Sequence, residues 1–233
     1  MLKECLRDSW SFFKVHYVAL AMITLPILTP VYFLLDIYEY NFITEESSVF
    51  EIIAPSFLAS VFYPIYAVGV VFYIAKALSG ELLSPVQAWK LGLSHWTTYI
   101  ILSLLMWLLI GLGFMALVIP GFILLVRYSF AQIDLLLNKS TPVTSLKNSW
   151  SLTENYFWLL LGGFAVITLA IWIPAYLVNE VFNFHDAVFY LVNFLWALIS
   201  SVLSAIYTIF AFRVYELTKS EEVKDQGSES LKN

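Results

Sequence analysis

Six stretches of this chain are long and apolar enough, or nearly so, to cross a bilayer: approximately 12–35, 52–78, 97–118, 120–137, 156–178 and 187–213. A hydrocarbon core of roughly 30 Å takes about 20 apolar residues in a helix. In lipid an unpaired backbone N–H or C=O is so costly that helices are the expected spanning elements. The alternating pattern of a membrane barrel is absent. Composition points the same way: 61% of the 233 residues are hydrophobic and 12% charged, against about half and about a quarter in a soluble domain. A soluble core of this length cannot hide that surplus. The expected fold is an all-α membrane protein with six transmembrane helices, residues 1–218 forming the polytopic domain. The tail, 219–233, mixes Glu221, Glu222, Asp225 and Glu229 with Lys and Ser, has no apolar face, and is expected to be disordered.

The first run is too long for the apolar core of a signal peptide and no small-residue cleavage pattern follows it, so it is read as a retained helix. The boundary between the third and fourth runs rests on Pro120 and Gly121 acting as a turn.

Positive charge orients the spans, because cytoplasmic flanks keep Lys and Arg. Lys3, Arg7 and Lys14 precede the first run, Lys76 and Lys90 lie near the second link, and Lys139 and Lys147 lie in the fourth. Arg213, Lys219, Lys224 and Lys232 follow the sixth, which puts eleven of the twelve basic residues on one side. The opposite loops carry Asp36, Glu39, Glu45, Glu46, Glu51, Glu180 and Asp186 and no basic residue. Both termini are therefore expected in the cytoplasm. The exception is Arg127, inside the fourth run.

The chain also repeats. Ser84-Pro85-Val86 followed by Lys90 has the spacing of Thr141-Pro142-Val143 followed by Lys147, 57 residues later. A Ser or Thr cap with Pro at the first helical position starts a helix. A third copy stands at the N-terminus, where Leu6-Arg7-Asp8-Ser9-Trp10-Ser11 parallels Leu146-Lys147-Asn148-Ser149-Trp150-Ser151. The expectation is three pseudo-repeated helix pairs, each preceded by a short amphipathic cytoplasmic helix.

From Ile119 to Trp158, the string IPGFILLVRYSFAQIDLLLNKSTPVTSLKNSWSLTENYFW has an Ile-Pro-Gly turn, an Arg followed by an aromatic, a Ser/Thr-Pro cap and a Ser-Trp-x-Leu-Thr ending. In these features it resembles the YciC family of bacterial inner-membrane proteins, and the membrane domain attached to some glycerophosphodiester phosphodiesterases. The resemblance implies an inner-membrane protein of poorly defined role, in envelope or lipid homeostasis. It does not imply phosphodiesterase activity, which belongs to a separate soluble domain.

Arg127 is the most informative single residue, because a charge deep in a span needs a partner or a path to the interface. One role has it facing a cavity and attracting an anionic headgroup. The other, favoured here, has it binding carbonyls or a carboxylate to lock helices. Asp134, seven residues on, lies on nearly the same helix face but too far for direct pairing. Arg7, Trp10, Lys90, Lys147 and Trp150, with Trp89 and Trp96, mark amphipathic segments fit to rest in the interface and contact anionic lipid. Pro26, Pro30, Pro64 and Pro174 free carbonyls and bend helices, as in transporters with broken spans and in ordinary membrane helices alike. Ala197, Ser201 and Ala205, with Ser200 and Ser204, form small-residue rows suited to close helix packing.

Catalytic, metal and cofactor sites are not expected. His16, His95 and His185 fall in different flanks without ligand spacing, and His185 beside Asp186 is an adjacent pair whose side chains diverge on a helix. Cys5, the single cysteine, rules out an internal disulfide. The glycine pairs sit in apolar spans, so no phosphate cradle is present, and the few scattered basic residues do not support nucleic-acid binding. The expected partners are membrane lipids and other inner-membrane or envelope proteins. The leading expectation is a non-enzymatic inner-membrane protein; a small transporter or lipid-translocating carrier is the alternative, and a membrane enzyme acting on lipid headgroups a third.

Overall fold

The computed structural model describes the backbone of residues 1–44, 46–182 and 186–230, and the side chains of these except Ala175, 178–189 and 221–230. The described residues are helical with no strand. In chain order the helices are α1 (Leu2–Phe42), α2 (Val49–Ala59), α3 (Tyr63–Leu78), α4 (Pro85–Ser94), α5 (Trp96–Ala116), α6 (Val118–Arg127), α7 (Ala131–Leu137), α8 (Pro142–Leu152), α9 (Phe157–Phe182), α10 (Asp186–Leu203) and α11 (Ala205–Ser230). Six helical stretches are long and apolar enough to cross a membrane. Large apolar side chains stand out along them, with Trp107 75% and Met115 85% exposed, as lipid-facing residues do.

Several spans are built differently from their sequence outline. The first amphipathic segment is not a separate helix, because α1 runs unbroken from Leu2 to Phe42. The other two copies are set off from their spans by turns at His95 and at 153–156, whereas the corresponding stretch of α1 near Phe13 stays helical. The second run is interrupted by a 3-10 turn at Ser60–Phe62, just before Pro64, which lacks the N–H to continue the ladder. The break between α5 and α6 falls at Leu117, whose backbone is extended (φ −165°, ψ 154°). Pro120 and Gly121 lie inside the first turns of α6 instead of forming the turn, since an N–H is dispensable there. The sixth run divides at Ser204, whose hydroxyl donates to the Ser201 carbonyl at 2.7 Å, the kind of back-bonding that bends helices. Beyond 218, where a disordered tail was expected, α11 continues as helix to Ser230; Glu and Lys in this stretch are good helix formers. His185 lies outside the described residues, as do Glu45 and the side chains of Glu180 and Asp186.

Contacts separate the chain into two units. In one, residues 15–100 and 167–205, helix α4 runs back along α3. Gly92 sits against the Ile65 backbone, and Ala88 against Gly69. The indole N–H of Trp89 donates to the Ile23 carbonyl at 2.8 Å, and that of Trp96 to the Val61 carbonyl at 2.9 Å. Each acceptor lies three residues before a proline, Pro26 or Pro64, next to the carbonyl four residues back that the proline's missing N–H leaves unserved. Two tryptophans thus meet backbone that two prolines disturb. His16 and the Tyr73 hydroxyl join at 2.8 Å in the same unit.

The other unit comprises residues 1–14, 101–166 and the chain from Ile206. Phe130, Val126, Leu160, Ile209 and Phe210 are its fully buried centre. Gly163 lets the Phe210 ring lie on α9, and Gly113 lets α5 approach Gly121 of α6.

The close α3–α4 approach depends on the missing side chain at Gly92. Gly92→Ala is expected to lower stability by about 1–3 kcal/mol, as overpacking does, while Gly111→Ala, which meets open space, leaves it level or raises it. Thermal unfolding in detergent, followed by circular dichroism, checks both.

Candidate functional site

The two capped helices open as their sequences require. The Ser84 hydroxyl accepts from the Gln87 N–H at 3.3 Å, and Gln87 answers by accepting from the Ser84 N–H at 3.0 Å. The Thr141 hydroxyl accepts from the Thr144 N–H at 3.3 Å. Pro85 and Pro142 follow at the first helical positions.

Aligning the three copies by these starts exposes a two-faced pattern that inspection of the Trp and Lys positions alone did not reveal. One face carries small residues four apart, all buried: Cys5 and Ser9, Ala88 and Gly92, Ser145 and Ser149. Small residues at this spacing let helices approach closely. The opposite face carries an exposed stripe at i, i+4 and i+7: Lys3, Arg7 and Trp10; Val86, Lys90 and Leu93; Val143, Lys147 and Trp150. Each copy therefore holds the protein with one side and shows a cation between or beside bulky groups on the other.

The fourth span is where the third copy docks. Its helix stops at Arg127, turns through Tyr128–Phe130, and restarts as α7. The Ser149 hydroxyl donates to the Arg127 carbonyl at 2.6 Å and accepts from the Phe130 N–H at 3.1 Å. One buried hydroxyl thus serves both sides of the break. Thr153, one turn further, also points its hydroxyl at the Arg127 carbonyl, at 3.4 Å. Ser149 and Thr153 are the outer residues of the Ser-Trp-x-Leu-Thr string, and their four-residue spacing puts both on one helix face.

Between them Trp150 projects the other way, toward the Arg127 side chain. The guanidinium lies 5.1 Å from the Trp150 ring centroid and 5.6 Å from that of Phe157. Its Nη1 donates to the Trp150 carbonyl at 3.1 Å, and its Nε is buried without an acceptor. Standing in the last turn of α6, the cation also faces the negative end of that helix dipole.

Asp134 is buried, at 1% exposure, and meets no cation among the described residues. Its oxygens accept from the side-chain amides of Asn138 at 2.6 Å and Asn148 at 3.1 Å. The Asn138 amide also donates to the Tyr215 hydroxyl at 2.9 Å. A buried carboxylate without such donors would be strongly destabilising. The network ties α7 to α8 and α11, and Arg127 and Asp134 are held in separate surroundings. Among the described residues no group of three His, Cys, Asp or Glu side chains is placed to hold a metal.

Residues 44–217 match UPF0259, an uncharacterised protein family. The chain belongs to this family. YciC is another name for it, so the match covers the Ile119–Trp158 segment and most of the chain besides. A UPF0259 membrane protein of Photorhabdus laumondii is 24% identical over 156 residues, which is 67% of this chain and 60% of that relative. The chain thus spans less than two thirds of that protein's length. No solved structure matches. In this UPF0259 chain the buried side chains of Asp134, Ser149 and Thr153 gather where α6, α7 and α8 meet.

Removing the Ser149 hydroxyl leaves a buried N–H and weakens the cover of a buried carbonyl. Ser149→Ala is expected to cost about 1–3 kcal/mol, the penalty of an unsatisfied buried group, whereas Ser151→Ala on the exposed face stays within about 0.5 kcal/mol. Unfolding midpoints of the two variants in the same detergent compare them.

Proposed function

We propose that this protein is a non-enzymatic component of the bacterial inner membrane, with both termini in the cytoplasm, that serves envelope or membrane-lipid homeostasis by contacting lipid headgroups and partner membrane proteins. The observation that carries this reading is the exposed basic stripe repeated on three helix segments: Arg7 beside Trp10, Lys90 beside Leu93, and Lys147 beside Trp150. Long cations flanked by apolar or aromatic side chains suit the headgroup layer, where stems lie along acyl chains and charges meet phosphate. The same segments bury small residues against the protein, so their outward faces are free for lipid.

A second reading, a small transporter or lipid-translocating carrier, draws on the interrupted fourth span. Broken helices line substrate paths in transporters, and here the break at Tyr128–Phe130 lies between Arg127 and the buried Asp134. The dense pairing of that break by Ser149 and the Asp134 amide network favours a locked joint, and hence the first reading.

Near a membrane surface each basic residue contributes about 1 kcal/mol toward anionic lipid. Replacing Arg7, Lys90 and Lys147 together with Gln is expected to strip most of the anionic phospholipid that copurifies with the protein, with its helix content unchanged. Lipid extraction and mass spectrometry read this, and an unchanged lipid profile would sink the reading. Sidedness has its own test: a reporter inserted beside Glu46 is expected to score periplasmic, and a cytoplasmic score reverses the orientation.

A further inference from the structure

Arg127 carries a charge that its surroundings leave without an anion. The ion pairs among the described residues join the Met1 amino group to Glu4, Arg7 to Asp8, Lys76 to Glu81 and Arg213 to Glu216; none reaches Arg127. Between Asp134 and Glu180 the sequence holds one acid, Glu154, and it does not pair with Arg127 either. The guanidinium is nonetheless held in place. Two rings, Trp150 and Phe157, lie within 5.6 Å, and one N–H is tied to the Trp150 carbonyl. Its Nε lacks an acceptor.

A planar, weakly hydrated cation fixed in this way has already lost much of its rotamer freedom, and its remaining donors match an oxyanion with two equivalent oxygens. A phosphodiester has that geometry. The neighbouring surface is apolar: Phe122 and Leu125 are exposed on α6, and Trp158 is exposed at the start of α9. Lys147 adds a second exposed cation one turn before Trp150 on the same stripe of α8.

We infer that Arg127 binds the phosphate of an anionic glycerophospholipid, its acyl chains following the exposed side chains of α6 and α9, with Trp150 packed beside the glycerol. This deepens the lipid-contact reading above and rests on it for the interfacial position of α8, which the Arg127 side chain reaches from within the fourth span through its contact with Trp150. It adds a defined headgroup site to the diffuse attraction of the stripes.

The wild-type chain in nanodiscs allows the test without a substitution. Discs of phosphatidylcholine alone are compared with discs containing phosphatidylglycerol, and the rate of phenylglyoxal modification at Arg127 and Arg7 is followed by peptide mapping. Arg127 is expected to react several-fold more slowly when phosphatidylglycerol is present, and free glycerol phosphate at matched phosphate is expected not to protect it. Native mass spectrometry supplies a second arm, in which Arg127→Gln binds phosphatidylglycerol about tenfold more weakly and Arg127→Lys falls between. Should Arg127→Gln fail to fold, the wild-type protection decides alone. Equal rates at Arg127 in both discs would overturn the site, and equal protection by free glycerol phosphate would overturn its assignment to lipid. Protection of Arg7 alone removes the Arg127 site while keeping the stripes; protection of neither removes both.

Discussion

The hydroxyl of Ser149 stands between the Arg127 carbonyl and the Phe130 N–H, and the architecture around the fourth span depends on that arrangement. A helix interrupted in apolar surroundings leaves backbone groups that water cannot reach, at a cost of several kcal/mol each if nothing else serves them. Here a residue 22 positions away in sequence serves both sides of the gap. The break can persist because α8 docks on it, and α8 can dock because Ser145 and Ser149 keep its inner face thin. The cation of Arg127 then lands beside the Trp150 ring of α8 and the Phe157 ring that begins the next span.

The same solution appears at two other weak points. Pro26 and Pro64 disturb their helices, and the indoles of Trp89 and Trp96 reach the carbonyls three residues earlier. Tryptophans that read as interfacial anchors in the sequence are also hydrogen-bond donors to backbone carbonyls just ahead of prolines. The repeated segments therefore do two jobs. In the second and third copies Trp89 and Ser149 serve the backbone of the spans, and the outer faces of all three present cations and bulky apolar groups.

Much of the outline was legible. The apolar runs mark the spans because lipid demands uninterrupted hydrophobicity, and the Ser84 and Thr141 caps mark helix starts because an N-terminal turn needs those acceptors. The offset of 57 residues pointed to related segments, though the small-residue pairs Ala88–Gly92 and Ser145–Ser149 emerge only when the copies are laid over one another. Other features were not legible. Pro120-Gly121 looked like a turn, yet the chain reverses at Leu117, since proline is tolerated in the first turn of a helix and glycine there serves close packing. No local residue near Tyr128 announces a break, and Asp134 gives no hint that two asparagines will hold it.

By itself, then, the sequence determined that this is a membrane protein, that six of its stretches are long and apolar enough to cross a bilayer, and where two of its short helices begin. These follow from composition and from hydrogen bonding within a few neighbouring residues. Tertiary structure alone decided where the spans break and what surrounds Arg127 and Asp134. A broken helix in an apolar medium survives only where a distant residue supplies the missing partner, and that supply is a property of the packed molecule.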